Sequence, residues 1–331
     1  MRKGLNKKEK KNYDFSRGII EKANIEYNKG NLDEACKLYE EAFNYFVTTG
    51  DVLEYAMVKM EQGDKERALE LIDGVIEIEP NEFRGYYFKG VFCEYQQDDS
   101  EALKMFLEAE KYLNVNDITK DYAVFYFKIA RIYDDLSDQD GDKREEFLAN
   151  AKKYYKKALE IDEHLYYANL NLGSIYEKED QLDEALELML RANSDNKEEK
   201  MSAYNLGVIY AKKKEYDKAI SYYLEEIGKE DFYPYAFYNL AILYKDIYKD
   251  YNKAKEYYIE GLKYLKNDHS LWYNLGCTYV LLNDFKSATD CFYFAISLNK
   301  SILDYMEDDK EISTYIINKE YNNLQNKLKC N

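Results

Sequence analysis

The chain has 331 residues and carries 64 acidic against 47 basic side chains, a formal charge of −17. An acidic body of this kind repels phosphate backbones and argues against nucleic-acid binding. No apolar run approaches the ~18 residues that a membrane span needs, and two histidines with five scattered cysteines assemble neither a metal centre nor a nucleophile–base pair. Cys36, Cys93, Cys277, Cys291 and Cys330 form no CxxC, which fits reduced thiols in a cytoplasmic protein. No cofactor, no metal and no catalytic residue is expected.

Residues 1–15 hold Arg2, Lys3, Lys7, Lys8, Lys10 and Lys11 against Glu9 and Asp14, six minus two or +4, and are predicted to be a disordered basic leader. From residue 16 a period takes over. Ala35, Ala68, Ala102, Ala151, Ala185, Ala219, Ala254 and Ala288 fall 33, 34, 49, 34, 34, 35 and 34 residues apart. Each has a small residue upstream: Ala23, Ala56, Gly90, Ala130, Gly173, Gly207, Ala241 or Gly276. A fixed period of this size predicts a stacked array of one small unit, with boundaries 16–48, 49–82, 83–122, 123–165, 166–199, 200–233, 234–268 and 269–300.

In the unit 166–199, Leu172, Gly173 and Tyr176 recur at helical spacing, a polar break follows, and Leu182, Ala185, Met189 and Ala192 resume it. That is a helix, a short turn and a second helix. Helices joined by a tight turn approach to ~8–10 Å, and Gly or Ala at the crossing allows the nearer limit. The large residue four positions beyond each alanine, from Tyr39 to Phe292, is expected to fill the space between units.

The fourth unit is irregular. Its connection from the third runs around Asn114–Lys120, and nine extra residues within Asp134–Asn150 predict a solvated acidic loop. Gly141 in the sixth place would make Leu136 the first ligand of a calcium loop, so that frame fails. Near the other end, the 234–268 unit has one extra residue between its helices, and Glu226 stands where the pattern has Ala. Beyond Lys300, residues 301–331 keep helical spacing at Ile312, Tyr315, Ile316, Leu324 and Leu328, which predicts a capping helix with a wet outer side.

With Trp272, Leu275, Gly276, Tyr279, Ala288, Phe292 and Ala295 in the last unit, the pattern resembles the tetratricopeptide repeat over residues 16–300. The resemblance implies an all-α, right-handed superhelical solenoid of about eight helix–turn–helix units with a C-terminal capping helix. It also implies a protein–protein interaction scaffold that takes a peptide or protein segment in its concave groove. The alternatives are a receptor for a signalling peptide and an accessory subunit that docks substrates onto a separate enzyme. Weak self-association is compatible with either.

First helices are expected to line the concave side, with the second, fifth, sixth and ninth positions of each unit on one face. The sixth position reads Asn171, Asn205, Asn239 and Asn274. An Asn amide offers the donor and acceptor pair of a peptide bond, so one per unit can hold an extended chain by its backbone. Contact with water alone explains the four equally well. Tyr204, Tyr238 and Tyr273 at the fifth position and Tyr167 and Tyr235 at the second supply candidate side-chain pockets. Arg84, Lys128 and Arg131 are candidate partners for a ligand carboxylate, although ion pairs with Asp134 or Asp135 explain the last two as readily. The carboxylate clamp of chaperone-binding repeat proteins is not present as such, because the later units lack its paired Lys and Arg.

Overall fold

The computed structural model describes residues 6–114, 119–195 and 197–329. Arg2, Lys3, Cys330 and residues 115–118 of the third-to-fourth connection lie outside the described residues. Among the described residues every regular element is helical. The chain divides into two compact units, one up to Asp162 and one from Glu163.

In the first unit, sequential helices pair: α1 (Lys7–Asn28) with α2 (Leu32–Ala42), α3 (Thr49–Gln62) with α4 (Lys65–Ile78), α5 (Phe83–Tyr95) with α6 (Asp99–Glu110), and α7 (Asp121–Gln139) with α8 (Arg144–Ile161). In the second unit the pairs are α9 (Tyr166–Lys178) with α10 (Leu182–Asp195), α11 (Ser202–Lys212) with α12 (Tyr216–Ile227), α13 (Tyr235–Ile242) with α14 (Tyr251–Tyr264), and α15 (His269–Leu281) with α16 (Phe285–Leu298). Three short helices close it: α17 (Ile302–Met306), α18 (Ser313–Ile316) and α19 (Lys319–Lys329).

The periodic alanines do what their size allows. All eight are fully buried, and the large residues four positions on are no more than 2% exposed. Those large residues turn back onto the small residue of their own pair. A Cβ added at Gly207 would lie 2.4 Å from the Tyr223 ring, one at Gly90 2.5 Å from Phe106, and one at Gly276 2.6 Å from Phe292. The ring therefore takes the place a side chain on the first helix would occupy.

Each tight turn is made by one left-handed residue. Gly30, Gly63, Gln97, Asp180, Lys214, Lys249 and Asn283 have φ between 55° and 91°, each five residues before a periodic alanine. Such a residue ends the first helix by letting the chain reverse sharply.

Three expectations are corrected. The leader expected to be disordered to residue 15 is helical from Lys7, because α1 runs unbroken into the first repeat. Tyr13 and Phe15 anchor this extension on Phe46 and Tyr45. The acidic loop of the fourth pair is mostly helix: the extra residues lengthen α7 and α8, and a single 3-10 turn at Gly141–Lys143 joins them. The lengthened ends are held by packing of Tyr133 on Phe147 and Tyr154, and the Asp140 carboxylate caps the turn. The single capping helix is instead three helices, with Ile302, Met306, Ile312, Tyr315 and Leu324 sealing the last core.

Candidate functional site

In the second unit the wall of first helices carries a coupled set of tyrosines and asparagines. Asn274 donates its amide to the Tyr238 hydroxyl at 3.2 Å and to the carbonyl of Ser270 at 3.0 Å. Asn239 donates to the Tyr223 hydroxyl at 3.2 Å, and the Tyr204 hydroxyl also interacts with it. The fifth-position tyrosine of one pair thus meets the sixth-position asparagine of the next. The rule explains an exception. Asn205 faces a preceding fifth position that is Leu170, and its buried Nδ2 has no hydrogen-bond partner. Asn171 is half-buried on α9, with interactions of its own.

The tyrosines differ in what they offer. Tyr167 is 54% exposed, its ring edge on Tyr166. Burial pushes Tyr204 and Tyr238 up, so both hydroxyls stay protonated. Tyr235 donates to Asp268 at 2.8 Å, and that carboxylate together with burial pushes it up to about 12. Tyr273 is buried, and its hydroxyl donates to Asp309 at 2.6 Å.

The three cations of the first unit are spoken for. Lys128 reaches Glu94 at 2.7 Å, and Arg131 bridges Glu94 and Asp135. The partner missed in the sequence is Glu94, one period before Lys128, and that periodic spacing was the available signal. Arg84, half exposed, pairs with its neighbour Glu82 at 3.2 Å.

A further cluster on the second unit's wall was not visible as a site in the sequence. The extra residue of the seventh pair is absorbed as a π-helical stretch, Leu243–Ile247, at the end of α13. Such a bulge rotates the side chains that follow it. Here it carries Lys245, which is 5% exposed and contacts both oxygens of Glu311, at 2.9 and 2.8 Å. Burial lowers the ammonium's proton affinity, but Glu311 outweighs it, and the pKa stands above the ordinary lysine value. Beside the pair, Cys277 Sγ and a carboxylate oxygen from each of Asp309 and Glu311 lie within 4.8 Å of one another. Lysine, however, already supplies the positive charge there. Burial pushes the Cys277 thiol well up, so it sits as a neutral neighbour rather than a thiolate ligand.

Among the described residues, no helix is long and apolar enough to cross a membrane. Family models described as tetratricopeptide repeat match residues 148–165, 166–194, 202–231 and 269–302. No curated protein matches the sequence. Among solved structures, the chain is similar to the C-terminal part of a TPR repeat-containing protein from Cytophaga hutchinsonii. The TM-score is 0.56 at 16% identity, over 75% of this chain and 95% of that one. It is also similar to pilF of Pseudomonas aeruginosa, with TM-score 0.54 at 16% identity over 75% and 99% of the two chains. At that identity the likeness concerns the fold. Helix pairs at a period near 34 residues, small residues at each crossing and these matches agree: the chain is a tetratricopeptide repeat protein.

Proposed function

We propose that the protein is a non-enzymatic interaction scaffold that holds an extended segment of another protein along the concave, first-helix wall of its second unit. The observation that carries this reading is the tyrosine–asparagine coupling across successive pairs. A Tyr hydroxyl takes an amide proton of Asn239 and of Asn274, which fixes each side chain and leaves its carbonyl oxygen to accept a ligand N–H. Asn205 keeps an amide nitrogen that nothing in the protein satisfies.

Magnitude sets the division of labour. Four backbone-type hydrogen bonds contribute ~4 kcal/mol, about millimolar affinity before ordering costs. Tyr167 and Tyr204 supply apolar area at small entropic cost, and the partner's side chains fill the rest. The acidic body keeps nucleic acid away. A receptor for a signalling peptide and a docking subunit for a separate enzyme use the same wall and differ only in what the bound segment belongs to.

The test is the triple substitution Asn205→Ala, Asn239→Ala and Asn274→Ala. With a partner captured by crosslinking and then purified, its affinity should fall at least tenfold while the melting temperature stays nearly unchanged. Unchanged affinity would remove the ladder from the mechanism.

A further inference from the structure

One period beyond His269 falls at residue 303, where a further first helix would start. Helix α17 begins one residue earlier, at Ile302, and stops at Met306 after five residues. The chain then leaves the helical path until the 3-10 turn at Lys310–Ile312. Both flanks are firmly anchored: Ile302 and Met306 before the break, and Ile312 and Tyr315 after it, are fully buried. Between them residues 307–311 form a polar arc of sequence Glu-Asp-Asp-Lys-Glu.

This arc lies against the wall. Asp309 accepts from Tyr273 on α15. Glu311 reaches back 66 residues to Lys245 at the end of α13. Its carboxylate also closes over Cys277, which has no exposed surface. Deeper in, the Tyr258 hydroxyl is buried without a hydrogen-bond partner. The arc therefore occupies fifth- and ninth-position residues of one first helix and a cation of the helix before it. These are places where a bound segment would lie.

Sealing the array does not require these carboxylates. The seal is apolar and comes from the flanks and from Tyr321 and Leu324. A buried ion pair adds little net stability beside such a seal, because desolvation offsets most of the attraction. What the pair does supply is a chemical match, two carboxylates two residues apart against Tyr273 and Lys245.

We infer that residues 307–311 are an internal ligand, covering a subsite that takes an acidic partner segment with two carboxylates spaced i and i+2. Resting on the reading of this wall as a partner surface, the inference adds the partner's chemistry and a competitor for it. The wall's last two pairs are closed until such a segment displaces the arc, and the anchored flanks let the arc lift without unfolding the end.

The test uses the full chain and a fluorescein-labelled peptide copying residues 304–313, followed by fluorescence anisotropy. The Asp309→Asn, Glu311→Gln double variant should bind the peptide at least tenfold more tightly than the wild type. Adding Lys245→Met should abolish that gain, and raising salt should weaken it. Hydrogen exchange across 307–311 should accelerate in the double variant. Faster exchange with no gain in peptide binding would overturn the subsite; unchanged exchange would overturn the arc's dependence on these carboxylates. Should the double variant fold poorly, Glu311→Gln alone must still show a gain of severalfold, and its absence counts equally against the inference. Because the ladder substitutions leave Lys245 and Tyr273 in place, loss of the ladder effect with retained peptide binding sinks only the backbone grip.

Discussion

Two buried lysines of the second unit, Lys229 and Lys245, find their acidic partners by different routes. Lys229 belongs to a local knot. Its ammonium meets Glu226 three residues back at 2.9 Å and the carbonyl of Glu199 at 2.6 Å. The other oxygen of Glu226 accepts the backbone N–H groups of Met201 and Tyr233, both at 2.9 Å. Glu226 is fully buried with its hydrogen bonds satisfied. Lys245 instead depends on Glu311, a carboxylate with 31% of its side chain exposed, brought from beyond the repeats. A knot closed to water and tied by two backbone donors as well as the lysine is structural, whereas a pair assembled across 66 residues, with its carboxylate partly exposed, is one that can be undone.

The sharpest way to break this comparison is to remove each acid. Glu226→Ala leaves Lys229 and two backbone donors buried without a partner and should cost ~3–5 kcal/mol in urea unfolding. Glu311→Gln should cost only ~1 kcal/mol, since the amide oxygen still accepts, Asp246 stands 3.4 Å from the ammonium, and water reaches the site. Equal losses would mean that the distant pair is as structural as the local one.

Removing the lysines sharpens it further. Lys229→Met should cost about 1–2 kcal/mol, because Glu226 keeps its two backbone donors but loses its counter-charge. Lys245→Met should cost less than about 1 kcal/mol, because Glu311 can turn to water. A larger loss at Lys245 than at Lys229, read from the same unfolding curves, would reverse the assignment of roles.

These differences mark what was legible in the sequence. The crossing alanines and glycines were, since close helix approach permits only small residues and so prints a period on the chain. The asparagines repeat at the sixth position of the last four units, but the tyrosine hydroxyls that hold Asn239 and Asn274 come from neighbouring helices and did not show in that period. Glu226 stood out as a departure, but its purpose was hidden, because Met201, Tyr233 and Lys229 meet it only through the geometry of two turns. The left-handed turn residues were announced by glycine only at Gly30 and Gly63; the other five pairs tolerate Gln, Asp, Lys or Asn there. The arc carried no signal. Residues 307–311 are polar without period, and only the π-helical placement of Lys245 gives Glu311 its partner. Periodic packing writes itself into sequence, whereas contacts that depend on where one inserted residue is absorbed do not.

A third ion pair, in the first unit, tests the comparison at smaller scale and through pH. Asp51 is 5% exposed, accepts both nitrogens of the Arg17 fork, and takes the backbone N–H and hydroxyl of Thr48 at 2.6 and 2.7 Å. Burial pushes its carboxyl up, but Arg17 and Thr48 together outweigh that, and the pKa stands below the usual aspartate value. Its carboxylate also completes a capping box at the start of α3. A depressed folded-state pKa contributes stability that is complete above the unfolded value near ~3.9 and fades as pH falls towards the folded one. Asp51→Asn should therefore cost about 1 kcal/mol at pH 7 and at pH 5, with the gap to the wild type narrowing only below about pH 4. Urea unfolding of both chains across pH 3–7 measures it. A gap that stayed constant to pH 3 would mean that the side chain acts as a helix cap by shape alone and that Arg17, unlike Lys229 and Lys245, does not depend on its partner's charge.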